Sequence, residues 1–138
     1  MDVKVTWKGK MAFEGLAEEG YELPLDTTVE SGGENQGFRP MELLILGLAG
    51  CTGMDVISIL QKKKQVVSGF EVKVRGDLAP DHPKVFTHIV VEYIVRGPHI
   101  DPVAVERAVE LSVTKYCPAN AMLNKMAQIE HVIKIIAD

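Results

Sequence analysis

Val3, Val5 and Trp7 alternate with Lys4, Thr6 and Lys8, and Met11 and Phe13 repeat the period before Gly15. A period of two sends apolar groups to one face of a strand and polar groups to the other, so two half-buried strands are predicted. A third short strand is expected over 21–25, at a sheet edge, because Pro24 has no N–H to give to a ladder. Residues 27–38, TTVESGGENQGF, show no period and read as a mobile surface loop.

From Pro40, which suits a first helical turn, the run MELLILGLAGCTGMDVISILQ is apolar on every side. A helix of that kind belongs in the middle of a core, which predicts a long buried central helix. Gly47, Gly50 and Gly53 recur along it, each costing about 1 kcal/mol of helix propensity. Close approach of another backbone or of a ligand is the expected compensation, since only glycine leaves that room.

Strand character returns where Phe70, Val72 and Val74 alternate with Glu71, Lys73 and Arg75, and after the turn APDHP the run VFTHIVVEYIV is long and β-branched. Asp101 and Pro102 read as the N-cap and first residue of a second helix, and Val105, Ala108, Val109, Ser112 and Tyr116 carry its spacing to an end near Tyr116. Cys117-Pro118 opens a third helix through about Met126, and QIEHVIKII closes the chain as a strand. The predicted order is βββ–α–ββ–αα–β, an α+β fold. No repeat, linker or low-complexity segment divides it, so residues 1–138 are expected to form a single domain.

With 138 residues, 46% of them hydrophobic and 25% charged, the chain has enough apolar material for a core without disulfides or a structural metal. Its net charge of −4 provides no basic field for phosphates, which argues against a nucleic-acid partner. The polar opening lacks the apolar core of a signal peptide, and the nearly uncharged stretch 43–54 is shorter than the roughly 20 residues of a membrane span. A cytoplasmic protein with no membrane partner is expected. In that reducing compartment the two cysteines stay free unless they do redox work or bind metal.

Cys51 lies well inside the long helix, beyond the reach of the terminal dipole, and among Leu, Ala and Gly its segment alone reads first as holding a small buried hydrophobe. Cys117 has the N-cap position, where unpaired N–H groups favour an anion, so local physics makes it the better thiolate. If the break at Cys117 rests against the glycine strip of the long helix, the two thiols meet. A thiolate that attacks a peroxide becomes a sulfenic acid, and a neighbouring thiol condenses with it to a disulfide. Arg39 and Glu42 are the nearest charged candidates to activate such a thiol, although a first-turn carboxylate pairing with an exposed Arg is a common surface arrangement. Asp55, on the same helical face as Cys51, would oppose a thiolate and reads instead as a partnered anchor or hydrogen-bond acceptor. His82, His88, His99 and His131 show no ligand spacing, so no metal is expected, and neither GxGxxG nor GxxxxGK occurs to suggest a nucleotide.

The pieces LLILGLAGCTGMDV and KYCPANAML, following FRPME in this order, resemble the OsmC/Ohr family, especially its branch of small uncharacterised proteins, over essentially the whole chain. The resemblance implies an intertwined homodimer that reduces organic hydroperoxides with a peroxidatic Cys51 and a resolving Cys117, recycled by an external dithiol, with no cofactor. An all-round apolar helix beside three short strands also gives one subunit too little cover, which independently predicts a homodimer sharing its N-terminal strands. Met41 stands where the family's characterised peroxidases have Glu, and no Arg occurs in residues 1–38, which leaves Arg39 and Glu42 as the possible activating pair. The alternative reading is a non-enzymatic module of the same fold that binds a small apolar or sulfur-containing ligand, and a third is a structural dimer with inert thiols.

Overall fold

The opening alternation does fold as strands. In the computed structural model, which describes Met1–Asp138, β1 (Val3–Gly9), β2 (Ala12–Ala17) and β3 (Glu22–Leu25) form an antiparallel meander in the order β1-β2-β3. β3 is its edge, as Pro24 requires. The β1–β2 turn places both Gly9 and Lys10 at positive φ, 110° and 48°.

The loop that follows is tied down, contrary to the expectation of a mobile segment. Asp26 accepts the N–H groups of Thr27 at 2.8 Å and of Glu34 and Gln36 at 3.2 Å. Those bonds, Thr27 first, hold its carboxyl below the usual carboxylate value. Val29–Ser31 makes a single 3₁₀ turn, and Gly33 passes so close to the Thr27 carbonyl that any side chain would collide with it. Composition hides such a loop because its organiser lies just before it.

Met1–Leu44 and Ile45–Asp138 are two compact units. In the second, β4 (Gly69–Leu78), β5 (Phe86–Gly97) and β6 (Gln128–Ala137) form a sheet in the order β4-β5-β6. β5 runs antiparallel to β4 and parallel to β6, with Val72 opposite Tyr93 and Val91 opposite His131. A parallel pair needs a crossover, and here it carries α2 (Pro102–Leu111), one π-helical turn (Ser112–Tyr116) and α3 (Pro118–Leu123). Asp101 caps α2 by accepting the Val103 N–H at 3.0 Å, with Pro102 in the first position. α3 ends at Leu123, and residues 124–126, expected as helix, form turns.

Ile89, Val91, Tyr93 and Val95 of the central strand are fully buried, with Ala104, Val105, Ala108 and Val109 of α2 also in the core. The helix α1 (Pro40–Lys62) buries Leu48, Thr52, Val56 and Leu60, four residues apart along one stripe. That is less than the fully buried helix its composition predicts: Leu46 stays 50% exposed and Met54 74%. The reason is geometric, since one sheet covers one face of a helix. The glycine strip corresponds only in part, because a Cβ on Gly53 would meet Val72 at 3.3 Å whereas Gly47 and Gly50 have nothing within 4 Å. By length and hydropathy α1 could cross a bilayer, yet its buried stripe is engaged with protein.

Candidate active site

Cys117 is the N-cap of α3, with Pro118 in the first helical position. Its Sγ accepts the Asn120 N–H at 3.3 Å. The same turn buries Asn120, whose Nδ2 donates to the Val113 carbonyl at 3.4 Å while its Oδ1 has no partner. Cys51, half-buried on α1, lies near enough to Cys117 to help raise its thiol, and both cysteines are free. The two thiols therefore meet, but not against the glycine strip, since Gly53 faces Phe70 and Val72 of β4.

Cys117 is not the better thiolate that its cap position suggests. Burial pushes the thiol up to about 11, outweighing the Asn120 and Ala119 amides that favour the anion, and Cys51 adds to the rise. The amides at the helix terminus do favour the anion, but desolvation of a side chain only 3% exposed is the larger effect. Cys117 therefore keeps its proton at neutral pH.

A line of polar side chains runs beside the thiols. Ser112 Oγ donates to Asp55 Oδ2 at 2.8 Å, Thr52 Oγ1 lies 2.8 Å from Ser112 Oγ and 2.9 Å from Tyr93 Oη, and Tyr93 Oη lies 3.0 Å from His131 Nδ1. The Tyr93 and His131 rings stack with centroids 5.9 Å apart. Burial pushes Tyr93 up to about 12 and lowers His131, which is therefore neutral at pH 7. Asp55 has the partner expected of it. Thr52, Tyr93, Ser112 and His131 do not stand out in the sequence reading; the available signal was two hydroxyl residues at helix positions that periodicity assigns to the core.

The candidate activating pair lies in the first unit. Arg39 Nη1 and Glu42 Oε1 are 3.5 Å apart on side chains 42% and 47% exposed, and Glu42 Oε1 also accepts the Arg39 backbone N–H at 2.8 Å. A second nitrogen of Arg39, Nη2, donates to Asn35 Oδ1 at 3.1 Å. Glu42 thus closes the first turn of α1, satisfying an N–H that the helix leaves unpaired. Among the histidines, His88 sits between Asp77 at 3.6 Å and Glu130 at 2.9 Å on an exposed strand surface.

The sequence model of the OsmC-like protein family matches residues 33–132. This chain belongs to the OsmC family. Protein YhfA of Escherichia coli K12 is 36% identical over 137 residues, 99% of each chain. Among solved structures, a hypothetical protein from Aquifex aeolicus VF5 is 29% identical and superposes with a TM-score of 0.87 over 99% of this chain and 96% of its own. An organic hydroperoxide resistance protein OsmC from Legionella pneumophila shares the OsmC fold at a TM-score of 0.73, covering 96% and 95% of the chains, with 16% identity. The mixed α+β architecture of two sheets and three helices is that of the OsmC family throughout.

Proposed function

We propose that this OsmC protein is a thiol-dependent reductase of small apolar organic hydroperoxides, acting in oxidative stress defence in the cytoplasm as a homodimer of one-domain subunits. The observation that carries the reading is the meeting of a half-buried thiol, Cys51, with a buried one, Cys117, that holds its proton. In the cycle, the Cys51 thiolate attacks the terminal peroxide oxygen. The O–O bond breaks, the alkoxide leaves and takes a proton from water to become the alcohol, and Cys51 becomes a sulfenic acid. Cys117 then attacks that sulfur, releasing water as the disulfide forms, and an external dithiol reduces the disulfide and is itself oxidised. Neither metal nor organic cofactor enters the balance. A resolving thiol that stays protonated until the sulfenic acid exists does not compete for peroxide, which is the division of labour the raised Cys117 supports.

The test is mass spectrometry after one equivalent of cumene hydroperoxide, with and without an alkylating agent. Rapid formation of a Cys51–Cys117 disulfide is expected, and Cys51→Ser should abolish it; slow, unspecific oxidation overturns the reading. One observation favours the second reading, a non-enzymatic module for a small apolar or sulfur-containing ligand: Arg39 and Glu42 are already engaged with each other and with the start of α1. Persulfide or ligand retained in native mass spectra, together with slow oxidation, would select it.

A further inference from the structure

Hydrogen counting orients the polar line beside the thiols. Asp55, as a carboxylate, only accepts, so the single Ser112 hydroxyl hydrogen goes to it. Thr52 must then donate to Ser112 Oγ, and Tyr93, its neighbour on the other side, must donate to Thr52 Oγ1. With its only hydrogen spent, Tyr93 can meet His131 Nδ1 only as an acceptor, so the neutral imidazole carries its proton on Nδ1. Every donor points towards Asp55. An acidic residue inside an apolar helix, which by charge alone opposes a nearby thiolate, fixes the direction of the whole line.

Ser112 is the joint between this line and the cysteines. Its hydroxyl holds Thr52, the residue after Cys51 on α1, while its carbonyl accepts the Cys117 N–H at 2.8 Å, the five-residue bond that closes the π turn. We propose that Asp55 and Ser112 are positioning residues, and that the oriented line from His131 to Asp55 sets the register between the turn carrying Cys51 and the turn carrying Cys117. Without it, α1 and the π turn keep their apolar packing but lose the polar link that fixes their mutual slide, and disulfide closure suffers.

This rests on the dithiol reading of the site but not on peroxide as its oxidant, so the two are separable. The effective concentration of Cys51 against Cys117 is measured at equilibrium with reduced and oxidised dithiothreitol. Asp55→Ala and Ser112→Ala should lower it roughly tenfold or more, as expected when a bond between positioned groups is lost. Values equal to the wild type in folded variants overturn the inference alone, and a wild-type protein that never pairs its cysteines overturns both readings. Pairing in dithiothreitol without peroxide turnover leaves this inference standing and removes the reductase. Nitrogen-15 shifts of His131 supply a readout that a merely structural role would not move: the Nδ1–H form is expected in the wild type, and the Nε2–H form overturns the orientation. If the alanine variants do not fold, Asp55→Asn preserves shape but can donate as well as accept; a mixture of His131 tautomers is then expected, and an unchanged single tautomer overturns the assignment.

Discussion

The two compact units are held by different chemistry. In residues 1–44 only Asp26 and Gly33 are buried, and the organising element is a carboxylate collecting backbone N–H groups. In residues 45–138 a central strand and three helical segments bury Ile89, Val91, Tyr93, Val95, Val105 and their neighbours, and even the polar groups form a closed line inside that core. Val3, Val5, Trp7 and Tyr21 of the first unit are left between 57% and 80% exposed. One unit carries its own apolar stabilisation, while the other has a shaped sheet whose apolar side chains still face solvent. A second copy covering that sheet is the homodimer we propose.

Core truncation should separate the units most sharply. Ile89→Ala, which empties a fully buried site, should cost about 2–5 kcal/mol in urea unfolding. Val5→Ala should change stability by no more than about 0.5 kcal/mol in dilute monomer; a larger loss that grows with protein concentration would show that the first unit borrows its cover from a partner copy.

Asp26→Asn attacks the first unit at its organiser. Glutamyl endopeptidase cleavage at Glu30 or Glu34 should become roughly tenfold faster if the loop opens locally, while the second unit's unfolding is unaffected. Because the folded-state pKa of Asp26 is lowered from its ordinary 3.8, its contribution is present above that value and disappears as pH falls through the folded value. Acid should therefore loosen the 27–38 loop of the natural protein and leave the variant no looser than before.

Cys117 gives the opposite sign. Its pKa is raised from 9.0 to about 11, so its contribution to folding is fully present below 9.0 and is lost as pH climbs towards 11. Stability measured across that window should decline less in Cys117→Ala, and iodoacetamide labelling of Cys117, followed by peptide mass, should rise only as pH approaches 11.

The smallest effect is expected at the exposed pair. Arg39→Met and Glu42→Gln should each shift stability by about 0–1 kcal/mol. Should Arg39→Met also raise the pH at which Cys51 is alkylated, the first unit supplies the activating cation and the division of labour drawn above is too strict. An unchanged Cys51 titration removes Arg39 from the activating role.

Periodicity made most of the fold legible, because strands and helices that bury one face must repeat at two or at about 3.6 residues. The Asp101-Pro102 and Cys117-Pro118 helix starts were readable for a similarly local reason, a cap beside a residue without an N–H. What stayed hidden depends on partners distant in sequence. Thr52 finds Tyr93 and Ser112, Tyr93 finds His131, and Asp26 finds Gln36, and no short window contains such pairs. The local preference for Cys117 as the thiolate failed for the same reason: a cap is a local feature, whereas burial is a property of the completed fold.

The parallel pairing of β5 with β6 bears on how the molecule is made. β4 and β5 meet through a short turn, with Leu78 opposite Phe86, whereas Gln128 must return to His88 after α2, the π turn and α3 have all been laid down. Such distant pairing incurs its loop-closure entropy before any contact repays it, so β6 should dock late in folding. His131 lies on that last strand, and with it the starting point of the donor line that ends at Asp55. During synthesis, both cysteines leave the ribosome before the residue that completes their polar frame. A chain stalled or clipped before β6 carries a dithiol whose geometry is not yet set.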